Sequence, residues 1–284
     1  MTENPILLYL HIPKTGGTTL SACIYNHWHA AGEYYVGEEG YLHSGIYYFP
    51  IGFFKDPGLA IPQSVLHGLG RPDLRAVLGH FRFGLHEYVS RPCTYITVLR
   101  DPVERVWSLY HHVCGRDSDV NPVEFATNPP YIEVDNDQTR RISGLEPRLG
   151  HCTRATLERA MDNLRRHFSV VGITERFDES LILLKRVFGW QGGLGYYPKN
   201  QTRGKRGTTS LTREAVDAIR ARNALDIELY DFANELLDEA IASQGASFRD
   251  ELAGFTAWKD AWHRELAEKW EAQRAANRIA AGTT

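Results

Sequence analysis

Residues Leu7 to Leu20 read LLYLHIPKTGGTTL: an apolar run from Ile6 to Ile12 bounded by Pro5 and Pro13, then Lys14, Thr15, two glycines and two threonines. The apolar pattern then resumes at helical spacing through Leu20, Cys23, Ile24 and Trp28. A run of that length fits a buried parallel strand, so the stretch predicts strand, glycine turn and helix. Such a turn presents consecutive backbone N–H groups at the positive end of a helix dipole, which makes it an anion site.

The anion is not held as in a common ATP loop. With Gly17, Thr18 and Thr19 laid on the end of GxxxxGK[ST], Thr18 falls where lysine belongs and Ile12 where the first glycine belongs. Lys14 lies instead on the strand side of the turn, where its ammonium meets an anion at the bond being broken. At ~4 Å and an effective dielectric of about 20, that attraction is roughly 4 kcal/mol, more than a neutral hydrogen bond contributes net. The plainer alternative is a glycine turn beside a surface lysine.

The theme repeats. RAVLGH (75–80), TYITVL (94–99) and FSVVGIT (168–174) read as further strands, the last preceded by a helical pattern at Leu157, Met161, Leu164 and Phe168. Strands alternating with helices predict an α/β fold with a central parallel sheet of P-loop type flanked by helices. An aromatic insert, EYYVGEEGYLHSGIYYFPIGFF (33–54), reads as an irregular loop, either packed down by its own rings or stacking a planar substrate. From Ala246 to Ala281, Phe248, Leu252, Phe255, Trp258, Trp262, Leu266 and Trp270 fall at steps of three and four. They predict a long C-terminal amphipathic helix whose stripe packs on the core or on a second copy of the chain, as a homodimer. The domains are therefore read as 1–245 and a helical extension, 246–284.

Charge narrows the partners. A formal net charge of −3 and a pI near 6.5 give no global attraction to nucleic acid or acidic membranes, so an anion site here is a local cluster of a few cations. Cys23, Cys93, Cys114 and Cys152 form no Cys-x-x-Cys pair, and no apolar run reaches the ~18 residues that span a bilayer. A reducing cytoplasm is expected. Metal-ligand spacing is absent: HEYVS from His86 is not HExxH, and His111 and His112 point to different helix faces.

A second cationic site follows from YITVLRDPVERVWSLYHH (95–112). Asp101 and Pro102 are N-cap and first-turn signals directly after a strand, so Arg100 lies at the strand's carboxyl edge, where open parallel sheets bind ligands. It should share a rim with Lys14. Ser108, about two turns into the helix, offers a hydroxyl. Two anion sites on one rim suit a ligand phosphorylated at both ends, and a guanidinium fork suits a phosphate. An ion pair of Arg100 with Asp101 or Glu104 is the alternative.

HIPKTGGTTL and VLRDPVERVWSLY together resemble the 5′-phosphosulfate loop and the 3′-phosphate motif of sulfotransferases that use 3′-phosphoadenosine 5′-phosphosulfate (PAPS). The carbohydrate group with heparan sulfate 2-O- and 6-O-sulfotransferases is nearest by motif. LGHFRFGLH, NDQTRRISG, VVGITERFDESLILL and NALDIELYDFA are also similar to blocks recurring there. The resemblance implies that Lys14, Thr15, Gly16, Gly17, Thr18 and Thr19 hold the 5′-phosphosulfate and that Arg100 and Ser108 hold the 3′-phosphate. The product is then 3′-phosphoadenosine 5′-phosphate (PAP), and no metal is required, since a sulfuryl group carries less charge than a phosphoryl group. Golgi relatives begin with a membrane anchor and this sequence begins at its first strand, so a bacterial-type cytoplasmic enzyme is expected.

Transfer to a hydroxyl needs a base. His80 ends RAVLGH at the same edge, with an unperturbed pKa of about 6.5; the alternative is a buried histidine satisfied by backbone. By resemblance, Gly79 and His80 match the segment that supplies the catalytic histidine of the 2-O-sulfotransferases. His86 and Glu87 are runners-up, and His11 shapes the loop. Gln138, Arg140 and His86 are expected to face the acceptor, a carbohydrate or small molecule, with a structural role as a helix cap and surface charges the alternative for Gln138 and Arg140. The late basic loop KNQTRGKRG (199–207) is expected to close on the 3′-phosphate through Arg203, Lys205 or Arg206, with a solvated charge run as the alternative. Thr174 and Glu175 are placed near the adenine. The competing classes are a magnesium-dependent kinase of a small molecule and a non-catalytic nucleotide-binding module.

Overall fold

A computed structural model describes residues 5–28, 42–43, 45–49, 63–115, 118–145, 147–190, 195–196 and 211–281. Its centre is a six-stranded sheet: β1 (Ile6–Leu10), β2 (Leu42–His43), β3 (Ile46–Tyr48), β4 (Ala76–Gly79), β5 (Cys93–Leu99) and β6 (Phe168–Ile173), in spatial order β2-β3-β4-β1-β5-β6. Five strands run parallel; β2 pairs antiparallel with β3. The four sequence-predicted strands are all present. β2 and β3 lie within the aromatic insert read above as an irregular loop; each is too short to show a period.

β1 and β4 are unbroken apolar runs because helices cover both faces of the sheet. Every residue of β1 is buried. The helices are α1 (Gly17–Trp28), α2 (Gln63–Leu69), α3 (Pro102–Val113), α4 (Pro122–Thr127), α5 (Asp137–Ser143), α6 (Arg154–His167), α7 (Phe177–Phe188), α8 (Arg213–Arg222), α9 (Ala224–Ser243) and α10 (Ser247–Ala281). Local signals set their ends. The Asp101 side chain caps α3 by accepting from Glu104 N, with Pro102 in the first turn. Thr153 and Thr156 form a reciprocal cap on α6.

The C-terminal helix is continuous, as predicted, but its stripe divides. Phe248 is buried in the same core cluster as β1 and β5, with Leu252 and Phe255 packed beside it, whereas Trp258 and Trp270 are exposed. Glu251 ties the helix to α7 through Lys185 (2.6 Å) and Arg186 (2.7 Å). The first turns of α10 therefore belong to the main core. Among the described residues, no helix is long and apolar enough to cross a membrane.

The topology positions everything functional. From β1 the chain passes to β3 and β4 on one side, then crosses to β5 and β6 on the other. The reversal flanks β1, and its carboxyl end opens the crevice where doubly wound sheets take ligands.

Candidate functional site

Four adjacent strands, β4, β1, β5 and β6, deliver His80, the Lys14–Gly17 turn, Arg100 and the Thr174–Glu175 turn to one edge. Leu10 stands in register with Gly79 on one side and Thr97 on the other, so Arg100, three residues past Thr97, is level with the start of the turn. The Arg100 guanidinium duly donates to the Lys14 carbonyl at 3.1 Å. The shared rim expected from the sequence is present.

The turn itself is tightly built. Lys14 (φ 72°) and Gly16 (φ 82°) both adopt left-handed backbone. Thr15 is fully buried and its hydroxyl donates to Ile12 O at 2.9 Å, closing the turn. Thr18 is half-buried and Thr19 buried. Thr174 Oγ1 lies 2.8 Å from Thr15 O and 3.0 Å from Leu99 O, locking the turn to β5 and β6. Gly17 is required by close approach: a Cβ there would sit 1.9 Å from the His11 ring.

His11 is thereby the inner wall of the turn, as expected. Its ring stacks on Tyr9 (5.5 Å) and lies 4.3 Å from His80. Its carbonyl sits 2.7 Å from His80 Nδ1. A carbonyl only accepts, so Nδ1 carries the proton and Nε2 is left as the lone-pair nitrogen of the neutral ring. Burial, then the nearby Arg141 charge, lowers the His80 pKa to about 4. The backbone at Gly79 (φ 154°) runs so close to Phe49 that a Cβ would meet Phe49 Cβ at 2.8 Å, and this contact sets how the chain leaves β4 into His80. His80 is therefore a neutral imidazole with a fixed tautomer near pH 7.

Arg100 is held on several sides. Its NH2 reaches Glu104 Oε2 at 3.1 Å, and its Nε lies 3.8 Å from Glu175 Oε1 without a hydrogen-bond partner. The ion pair weighed from the sequence thus coexists with the contact to the turn. Ser108 is buried on α3, one turn after Glu104 and one before His112 along the same ridge. The Lys14 ammonium, followed by burial, lowers the pKa of exposed His112, so this ridge runs beside the turn.

Other sequence-predicted residues lie elsewhere. The Gln138 amide is buried and engages both polar groups of the Arg100 backbone, accepting from N at 2.9 Å and donating to O at 3.0 Å. It positions Arg100 rather than facing an acceptor. Arg140 is buried with its guanidinium on Asp135 (3.1 Å) and on Pro147 O. His86 is at the wrong end of the sheet: its Nδ1 pairs with Tyr95 OH at 2.9 Å, beside a cavity of about 400 Å³ lined by Cys93, Thr94, Phe168 and Ser169 at the amino ends of β5 and β6. After His80 the chain turns back along the sheet, which sequence proximity does not reveal. Neighbouring Glu87 is exposed. Arg203, Lys205 and Arg206 lie outside the described residues. Thr174 is fixed by the turn, and Glu175 faces Arg100.

Sequence reasoning missed the helix behind the rim. In α5, Asp137 lies between Arg141 (3.0 Å) and Arg105 (3.6 Å), and Asp226 of α9 accepts from Gln138 N (3.1 Å) and Thr139 N (2.7 Å). Arg141 O accepts from Phe83 N at 2.9 Å, joining this helix to the segment after His80.

The rim thus gathers a glycine turn at a helix start, an arginine and a neutral histidine. A family model, Galactose-3-O-sulfotransferase, matches residues 143–272, which include β6, α7 and α9 but not the Lys14 turn, His80 or Arg100. The chain is 28% identical over 207 residues to Galactose-3-O-sulfotransferase 3 of Bos taurus, covering 63% of this chain and 46% of that protein. It is 29% identical over 179 residues to Galactosylceramide sulfotransferase of Bos taurus, covering 54% and 40%. It is 28% identical over 185 residues to Heparan-sulfate 6-O-sulfotransferase 2 of Homo sapiens, covering 52% and 30%. The chain spans less than half the length of these relatives. The similarity is to carbohydrate and glycolipid sulfotransferases, a wider set than the heparan sulfate group picked out by motif.

Proposed function

We propose that this chain transfers a sulfuryl group from PAPS to a hydroxyl of a carbohydrate or other glycosylated acceptor. The observation that carries the reading is the convergence, on adjacent carboxyl ends of the sheet, of an anion-binding turn, an arginine and a neutral histidine with its tautomer fixed. The similarity to sulfotransferases supports it independently.

The residues fit the donor. Arg100 keeps a buried Nε–H without a hydrogen-bond partner, and the start of α1 presents amides at the positive end of a helix of 12 residues. Arg100 and the Ser108 ridge are assigned to the 3′-phosphate, and Lys14 with the backbone of residues 15–19 to the 5′-phosphosulfate. When bound, the donor supplies an activated sulfuryl group on a phosphate oxygen. His80 Nε2 takes the proton of the acceptor hydroxyl as it attacks, and the Nδ1–H bond to His11 O steadies the imidazolium that forms. Lys14 stabilises negative charge growing on the departing side.

The test is calorimetric titration with PAP and, separately, with Mg-ATP, followed by an acceptor screen with labelled PAPS in EDTA. Binding of PAP in preference to Mg-ATP and transfer that survives EDTA are expected. Preference for Mg-ATP with phosphoryl transfer would overturn the reading in favour of a kinase, and PAP binding without transfer to any acceptor would favour a binding module.

A further inference from the structure

Glu175, in the short turn after β6, is held at the rim by two neutral donors: Asp101 N at 3.3 Å from Oε1 and Tyr230 OH at 3.1 Å from Oε2. Its Oε1 faces Arg100 Nε at 3.8 Å, while Glu104 Oε2 takes the other side of the same guanidinium at 3.1 Å. One arginine thus has two carboxylates, and the carboxylate from β6 makes only the looser contact. The Thr174 hydroxyl, one residue earlier, bonds the backbone of the Lys14 turn, so the segment that carries Glu175 is tied to that turn.

That arrangement is odd for an anion site. A phosphate monoester brought to Arg100 arrives with about two negative charges beside a half-buried carboxylate, and like charges that share a site drive one of them to take a proton. Resting on the reading that Arg100 receives the 3′-phosphate, we propose that Glu175 is the counter-carboxylate this phosphate displaces. Its capture of a solvent proton on binding is what keeps the nucleotide product releasable. The step is a protonation alone: Glu175 passes from carboxylate to carboxylic acid, the proton comes from solvent, and it returns when the product leaves. The protonated form remains satisfied, since it donates to the phosphate oxygen while its second oxygen still accepts from Tyr230.

The groups around Glu175 are consistent with this. Arg100, Asp101 and Glu104 face it from the end of β5 and the start of α3, Tyr230 faces it from α9, and Arg176 next in chain is engaged by Glu179 and Asp238. Burial already raises the Glu175 pKa before any ligand is present, and Glu175, after burial, helps push Tyr230 up to about 12, so the phenol stays a donor throughout.

The experiment is titration calorimetry of the full chain with PAP at pH 7 in phosphate-free buffers of differing ionisation enthalpy, repeated with Glu175→Gln. Wild type should take up a substantial fraction of a proton per PAP bound, and its dissociation constant should rise as pH goes from 6 to 8. Glu175→Gln should lose the uptake, flatten the pH dependence and bind PAP roughly tenfold tighter, with stronger product inhibition. Tyr230→Phe keeps the carboxylate and should keep the uptake. Uptake that persists undiminished in Glu175→Gln, or wild-type binding without any uptake, would overturn the proposal while leaving the donor assignment standing. Absence of PAP binding by wild type would instead remove the donor assignment on which it rests.

Discussion

The base role proposed for His80 requires an unprotonated Nε2, and the groups around the ring settle when that is so. Burial and Arg141 hold its pKa near 4, against about 6.5 when unfolded. At saturating PAPS, transfer should therefore stay level from pH 8 to 6 and fall only as pH approaches 4, which a profile of kcat/KM for the acceptor will show. His80→Ala should lower kcat about 10²- to 10⁴-fold and leave PAP affinity nearly unchanged. The same depression is a stability term. Between pH 6.5 and 4 the unfolded chain binds the extra proton, so stability is fully present above 6.5 and declines as pH falls through that window. The full extent is about 3 kcal/mol. Urea denaturation at pH 7 and pH 5 should show the loss, and His80→Asn should reduce it. At Gly17 the constraint is steric. Gly17→Ala drives a Cβ into the His11 ring, whose carbonyl orients His80, so it should destabilise by about 1–3 kcal/mol and weaken PAP binding and kcat together.

At the scale of elements, α5 connects the two halves of the rim. It has seven residues, every one buried, and it places Gln138 on the Arg100 backbone and Arg141 beside His80. A polar helix so placed needs its leading amides satisfied, and Asp226 accepts from two of them across 88 and 87 residues of sequence. Asp226→Ala leaves those amides without a partner and removes a carboxylate whose charge Arg105 stabilises, so a loss of about 3 kcal/mol is expected in denaturant unfolding, with reduced PAP affinity as Arg100 loosens. The sequence reading failed at this element for a physical reason. The Lys14 turn, Asp101-Pro102 and the strand before His80 announce themselves locally, through glycine, proline, capping and apolar runs. The partners of Gln138, Arg140 and Arg141 are fixed by contacts between distant segments, so NDQTRRISG exposes its polar residues on paper and buries them in the fold. His86 misled for the converse reason: six residues after His80 in sequence, it has crossed to the opposite edge of the sheet.

On the scale of the whole molecule, the rim depends on β6, whose carboxyl end carries Thr174 and Glu175, and β6 is backed by α7 and α9, with α10 packed on α7. The stretch shared with the galactose-3-O-sulfotransferase family covers this support rather than the Lys14 turn. Two kinds of contact join α10 to it, and their magnitudes differ. Phe248 is buried in the core that also holds β1 and β5, whereas Glu251 pairs with Lys185 and Arg186 where all three side chains remain about a fifth to a third exposed. Removing a buried phenylalanine side chain costs about 3–5 kcal/mol, while a partly exposed ion pair is worth about 1 kcal/mol or less after solvent screening. Phe248→Ala should therefore lower the thermal midpoint by several degrees and Glu251→Ala scarcely at all, with 0.5 M salt erasing the smaller shift and leaving the larger. If the helix served only as a detachable arm, both variants would melt like wild type. A large loss confined to Phe248→Ala would show that the C-terminal helix stabilises the core behind the sheet edge that carries Lys14, His80 and Arg100.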